Sequence, residues 1–154
     1  MAEPVTVSAA VFLAMGRETL AKQPFSVLLG AELSALEPGR CELQLVITAQ
    51  LKQQNGCAHG GVVSYLADNA LTYAGGTALR VPVVTAEFKI NYVRPAVGER
   101  LVVRAQGVHV GKTQAVCRCD VFVVTGSEEK LCAIAQGTIT GLPQRPKPAT
   151  REQA

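Results

Sequence analysis

The sequence predicts an α+β fold in which a curled antiparallel sheet of about six strands wraps around one long central helix, with a short helix at the N-terminus. Three observations carry this. Residues 60–79 are apolar almost all round, so a helix there must be buried. Segments before and after it alternate apolar and polar residues at the strand period. Finally, the order of elements is a hairpin, the long helix, then a four-strand meander, and a lone buried helix in that position needs a sheet curled around it.

Taking the elements in order, Phe12, Met15 and Leu20 recur at near-helical spacing between Thr6 and Lys22. Thr6 or Ser8 can cap this first helix and Gln23-Pro24 ends it. Segments 27–36 and 40–51 read as two strands joined at Glu37-Pro38-Gly39, with alternation clear in Cys41, Leu43, Leu45 and Ile47. The central helix holds Ala67, Ala70, Ala74, Gly75, Gly76 and Ala78, whose small side chains let a sheet approach closely. Four strands follow at about 82–93, 99–109, 114–124 and 131–141, broken at Pro95-Ala96-Val97-Gly98, Gly111-Lys112 and Gly126-Ser127. Pro143 to Ala154 has three prolines and no large apolar residue, so the division is one domain over 1–142 and a flexible tail over 143–154.

Composition excludes several functions. A chain of 154 residues buries a core without disulfide staples. Cys41, Cys57, Cys117, Cys119 and Cys132 are odd in number, form no C-x-x-C pair and sit mostly in apolar runs, which predicts reduced, structural thiols and no zinc site. Hydrophobic residues make up 48% and charged residues 18%, which predicts that some apolar surface enters a subunit interface. The net charge of +3 is scattered among acids, so nucleic acid is not an expected partner. The apolar stretch from Ser8 to Met15 lacks a preceding basic region and no run approaches a membrane span, so neither export nor a membrane is expected and the location is cytoplasmic.

Chemistry concentrates at the start of the central helix. Asn55-Gly56-Cys57-Ala58-His59-Gly60-Gly61 leads into it, which is expected to leave the Gly60 and Gly61 N–H groups unpaired at the positive end of the helix dipole, with nothing bulky to block a ligand. Such donors suit a carbonyl that becomes an oxyanion; a tight turn would also explain the glycines. Asp68 is the only acid between Lys52 and Glu87, and a carboxylate in an apolar helix costs several kcal/mol to desolvate unless it has partners or a task. Gly61, Ser64, Asp68 and Thr72 fall along one face at steps of three and four. A carboxylate there can attack an acyl carbonyl or deprotonate a water that does so. Gly60 and Asp68 are eight residues apart, roughly 12 Å along a helix, so one helix cannot bring both to one carbonyl. If both act, they come from two subunits across a two-fold axis.

His59-Gly60-Gly61-Val62-Val63-Ser64-Tyr65-Leu66-Ala67-Asp68, with Asn91-Tyr92-Val93-Arg94-Pro95 and Val110-Gly111-Lys112-Thr113, resembles the hotdog-fold thioesterases of the phenylacetic-acid-degradation (PaaI-like) type over about residues 24–142. The resemblance implies a hotdog fold, hydrolysis of acyl-CoA to acid and free CoA without metal or cofactor, and homodimers that pair into homotetramers. It implies that Asp68 is the nucleophile or general base and that Gly60 supplies the oxyanion N–H from the opposite subunit. Thr85 falls where some members have a serine that places the attacking water. Gln53 replaces an asparagine that many members carry six residues before the histidine, and Asn55 lies two residues on. His59 can be read as a general base, but the resemblance makes it a residue that shapes the helix start, while Gly61 and Ser64 line the substrate's path. Arg94 and Lys112, at strand ends or turns, can meet CoA phosphates. Two other readings stay open: an acyl-CoA binding module without activity, and a dehydratase or hydratase on the same fold.

Overall fold

The computed structural model describes residues 8–143. Its longest helix, α3, spans Gly60–Leu79, the limits the sequence predicts. The helix begins no earlier because His59 is extended, and its Nδ1 accepts a hydrogen bond from the Gly61 N–H. At the other end Arg80 turns into the left-handed region with φ 57°, and its N–H closes on the Gly76 carbonyl.

Before α3 come α1 (Ala9–Ala21), α2 (Pro24–Leu29), β1 (Glu32–Glu37) and β2 (Arg40–Val46); after it come β3 (Val83–Tyr92), β4 (Arg100–Val110), β5 (Gln114–Thr125) and β6 (Glu128–Gly141). The six strands form one antiparallel sheet in the order β1-β2-β4-β5-β6-β3. This is the hotdog arrangement, with β3 at one edge. Gly39, at φ 79°, makes the β1–β2 turn, and its N–H donates to Thr77 Oγ1 at 3.0 Å, tying the hairpin to the last turn of α3.

Small residues set how closely α3 and the sheet approach. Leu66, Ala67, Ala70, Leu71 and Ala74 are fully buried, facing inward with Leu43, Leu101, Val103 and Val121 of the strands. A Cβ on Gly75 would lie 2.5 Å from Ile139 Cβ on β6, and no rotamer change moves a Cβ aside. Gly75→Ala is therefore expected to destabilise the protein by about 1–3 kcal/mol, although alanine is the better helix former. Urea unfolding measures this, and an unchanged midpoint would show that the helix can lift off the sheet without cost.

Two expectations need correction. Residues 27–36 are not one strand: α2 occupies Pro24–Leu29 and β1 begins only at Glu32. Pro24, read as a terminator, sits at the first turn of a new helix, where its missing N–H costs nothing. Gly30, at φ 71°, ends that helix. Likewise the strand expected to run to residue 51 stops at Val46, and Ala49–Leu51 form a single 3₁₀ turn. Of the two caps expected for the first helix, Ser8 is the one found, its Oγ accepting from the Val11 N–H at 3.4 Å; Thr6 and the tail beyond Pro143 lie outside the described residues.

All five cysteines are buried and unpaired. Burial pushes the Cys117 and Cys132 thiols up to about 11 and Cys119 to about 12, so they are held as small apolar groups rather than thiolates. Among the described residues no helix is long and apolar enough to cross a membrane.

Candidate active site

The central helix is apolar in composition, but its cover is incomplete. Ser64, Asp68 and Thr72, on the flank of the helix by edge strand β3, remain half-buried within a single chain. Asp68 thus stands at a partly open face, not in a sealed core. Thr85, on β3, donates a 2.6 Å hydrogen bond to Asp68 Oδ1. That hydrogen bond uses the only Thr85 proton, so Thr72 is the donor in its 2.9 Å contact with Thr85 Oγ1, a proton it shares with the Asp68 carbonyl. The β3 irregularity between Thr85 and Glu87 lies beside this contact.

A polar network that the sequence does not announce roofs the same spot. Ser26, 1% exposed and the only fully buried polar residue among those described, donates to Gln23 Oε1 at 2.6 Å. Tyr65 Oη donates to Ser26 Oγ at 2.6 Å, and Asn69 Nδ2 donates to Tyr65 Oη at 3.1 Å. These bonds fasten α2 over α3, and Phe25 stacks edge-on against Tyr65 at 5.2 Å. Tyr65 and Asn69 are four apart on one face, a spacing visible in the sequence. Ser26 and Gln23 lie about forty residues away and carry no local signal. Together the two helices line an open cleft of about 410 Å³ that includes Asp68 and Thr72.

At the helix start the two glycines differ. The Gly61 N–H is held by His59 Nδ1 at 2.9 Å, which corrects the expectation that both amides are unpaired. The same bond makes that His59 nitrogen an acceptor, which fits a cap and leaves its proton on Nε2. Among the described residues the Gly60 N–H has no acceptor. Tyr92, unremarked as a single residue in the sequence, donates from its hydroxyl to the Gly60 carbonyl at 3.0 Å and lays its ring beside Gly60. Its only signal was membership of the Asn91–Pro95 segment.

Gln53 and Arg94 join Gly60 and Tyr92 around a second cavity of about 380 Å³. Gln53 donates from Nε2 to Cys57 Sγ and accepts from Asn55 Nδ2 at 3.3 Å, so both amides brace the loop before the helix. Arg94 is exposed and donates to the Leu131 carbonyl. Ser64 bonds back to the Gly61 carbonyl at 3.1 Å. Lys112 belongs to the β4–β5 turn, which pairs with Gly141 at the far end of β6. Leu131 and Gly141 are ten residues apart on that strand, roughly 33 Å, so one chain does not bring Arg94 and Lys112 together. Nor does one chain bring Asp68 and Gly60 into one cavity.

The curled sheet around one long helix defines the class, the hotdog fold. The model of the thioesterase superfamily matches residues 55–130. The acyl-coenzyme A thioesterase PaaI of Escherichia coli is 31% identical over 121 residues, covering 73% of this chain and 84% of that protein. A thioesterase family protein from Silicibacter pomeroyi superposes with a TM-score of 0.78 at 35% identity, over 86% of this chain and 97% of that one. The phenylacetic acid degradation protein PaaI of Thermus thermophilus, in a mutant form, gives a TM-score of 0.69 at 34% identity, over 78% of this chain and 100% of that one. The chain belongs to the thioesterase superfamily, in its PaaI-like hotdog branch, and is a thioester hydrolase.

Proposed function

We propose that the enzyme hydrolyses acyl-CoA at composite sites, each made from Asp68 of one subunit and the Gly60 N–H of another, in a homodimer or a pair of homodimers. The observation that carries this is the pairing of Asp68 with Thr85 on an edge strand. β3 passes Asp68 at Thr85 and passes Gly60 at Tyr92. Its outer edge has no partner among the described residues and exposes Val84 and Tyr92, a surface that invites a second strand. Pairing β3 antiparallel with its own copy, about an axis near Phe88, brings the Tyr92 end of one strand beside the Thr85 end of the other. Gly60 of each chain then approaches Asp68 of its mate, as the eight-residue separation requires.

In such a site the thioester carbonyl accepts the Gly60 N–H at the positive end of α3. Asp68 removes a proton from a water, which attacks the carbonyl carbon, or attacks that carbon itself. The oxyanion forms against the Gly60 donor, and its collapse expels the CoA thiolate. By the direct route water then cleaves the acyl-aspartyl anhydride. Thr85 fixes the rotamer of Asp68 and has a hydroxyl oxygen beside the incoming water. No cofactor is called for. Arg94 of one subunit and Lys112 of the other are the basic groups offered to CoA phosphates. Incubating the purified protein with acyl-CoA and a thiol reagent tests the reading: stoichiometric release of free thiol and acid is expected. Formation of a double bond with the thioester intact would replace it with dehydratase chemistry.

A further inference from the structure

The largest apolar cavity near Asp68 is a groove of about 710 Å³ between α1 and the C-terminal half of α3. It adjoins the cavity that holds Asp68: Gln23 and Asn69, 3.4 Å apart from Oε1 to Nδ2, border both, and so does Thr72. Along α3, Asp68, Thr72, Gly76 and Arg80 follow one slanting row at steps of four. Phe12 and Met15 of α1 line it from the other helix, and Pro82 and Val83 line it beyond Arg80.

Gly76 is the informative residue. A glycine inside a helix is destabilising, and its neighbour Gly75 is explained by the contact with Ile139. Gly76 meets a looser limit, since a Cβ there would press only on the Val83 side chain. It is half-buried, lines the groove, and the nearest atom to a Cβ placed there is Val83 Cγ2 at 3.0 Å, a contact that a shift of a few tenths of an ångström relieves. Its missing side chain deepens the groove floor midway between Thr72 and Arg80.

We propose that this groove holds the acyl chain, that the enzyme prefers straight aliphatic acyl groups of medium length over aryl ones, and that Gly76 sets that preference. The inference rests on Asp68 marking where the thioester lies. From Thr72 to Arg80 is eight residues, roughly 12 Å of helix, which matches roughly eight to ten carbons in zigzag. Met15, 57% exposed and unbranched, adapts to chains of differing length.

The test measures kcat/KM for butyryl-, octanoyl-, decanoyl- and phenylacetyl-CoA with wild type, Gly76→Leu and Met15→Trp. Each methylene buried is worth about fourfold, so wild type is expected to rise at least 10²-fold from butyryl to decanoyl and to favour octanoyl over phenylacetyl. Both variants should cut the decanoyl-to-butyryl ratio about tenfold or more. Met15 lies on the surface, so its variant tests the groove even if Gly76→Leu fails to fold. A flat chain-length profile, a preference for phenylacetyl-CoA, or variants that slow every substrate equally would overturn the proposal. So would loss of the oligomer in sedimentation without a change in the ratio, which would mean that a second copy covers the groove. Calorimetric binding of decanoyl- against butyryl-CoA separates the two readings: with no thiol released but tighter decanoyl binding weakened by Gly76→Leu, the groove stands and the hydrolytic role of Asp68 falls.

Discussion

Asp68→Asn is expected to lower kcat for CoA release by about 10³-fold while leaving the fold and the affinity for thioester nearly unchanged. Asparagine has the shape of aspartate, and its Oδ1 can still accept the 2.6 Å bond from Thr85, so the helix face and its contact with β3 persist. What is lost is the negative charge, and with it both the capacity to take a proton from water and the nucleophilicity needed for direct attack. Thr85→Val provides the graded comparison. It removes the hydroxyl but not the charge, so a fall of about tenfold in kcat is expected, close to the value of one hydrogen bond to a charged group. Initial rates of thiol release, with melting temperature measured alongside, separate chemistry from folding. An asparagine variant within tenfold of wild type would remove Asp68 from the reaction and make the Thr85 contact a packing detail.

The central helix was legible because two independent signals coincided: apolar composition over twenty residues and a turn-forming segment on the N-terminal side. Strands were legible wherever one face alternated, as in Cys41, Leu43 and Leu45, all buried against α3. The failure at α2 has a local cause. Proline ends a helix from within but starts one from its first turn, and a six-residue segment is too short for its period to reveal which. Asp68 stands out in the sequence because a charge in an apolar run is costly, and the single helix that carries it and Gly60 keeps the eight-residue separation the sequence implies. Its immediate surroundings were less so. Thr85 entered only through the family resemblance, since nothing local says that a β3 hydroxyl will face α3. The Gln23–Ser26–Tyr65–Asn69 network joins segments some forty residues apart and depends on a helix the sequence hid. The inequality of Gly60 and Gly61 was also hidden, because it depends on which way the His59 ring turns.

That inequality sets up the second large effect. Gly60→Pro removes one N–H, the amide left without an acceptor, and does so at a position where proline is well tolerated. His59 already has φ −61° and ψ 138°, the extended geometry that a following proline requires, and a Cβ at Gly60 meets the Tyr92 ring only at ordinary contact distance. Folding should therefore survive, while loss of the oxyanion donor lowers kcat by about 10²–10³-fold. The subunit arrangement can be tested with the same variant. A Gly60→Pro chain keeps Asp68, and an Asp68→Asn chain keeps the Gly60 donor. Unfolded together and refolded in equal amounts, half of the dimers pair unlike chains, and each of these contains one intact site of two, so about a quarter of wild-type activity should return. If each chain instead built its site alone, every site in the mixture would carry one lesion and no activity would return. Recovery without mixing of subunits, checked by mass spectrometry of differently tagged chains, would likewise rule out the shared site.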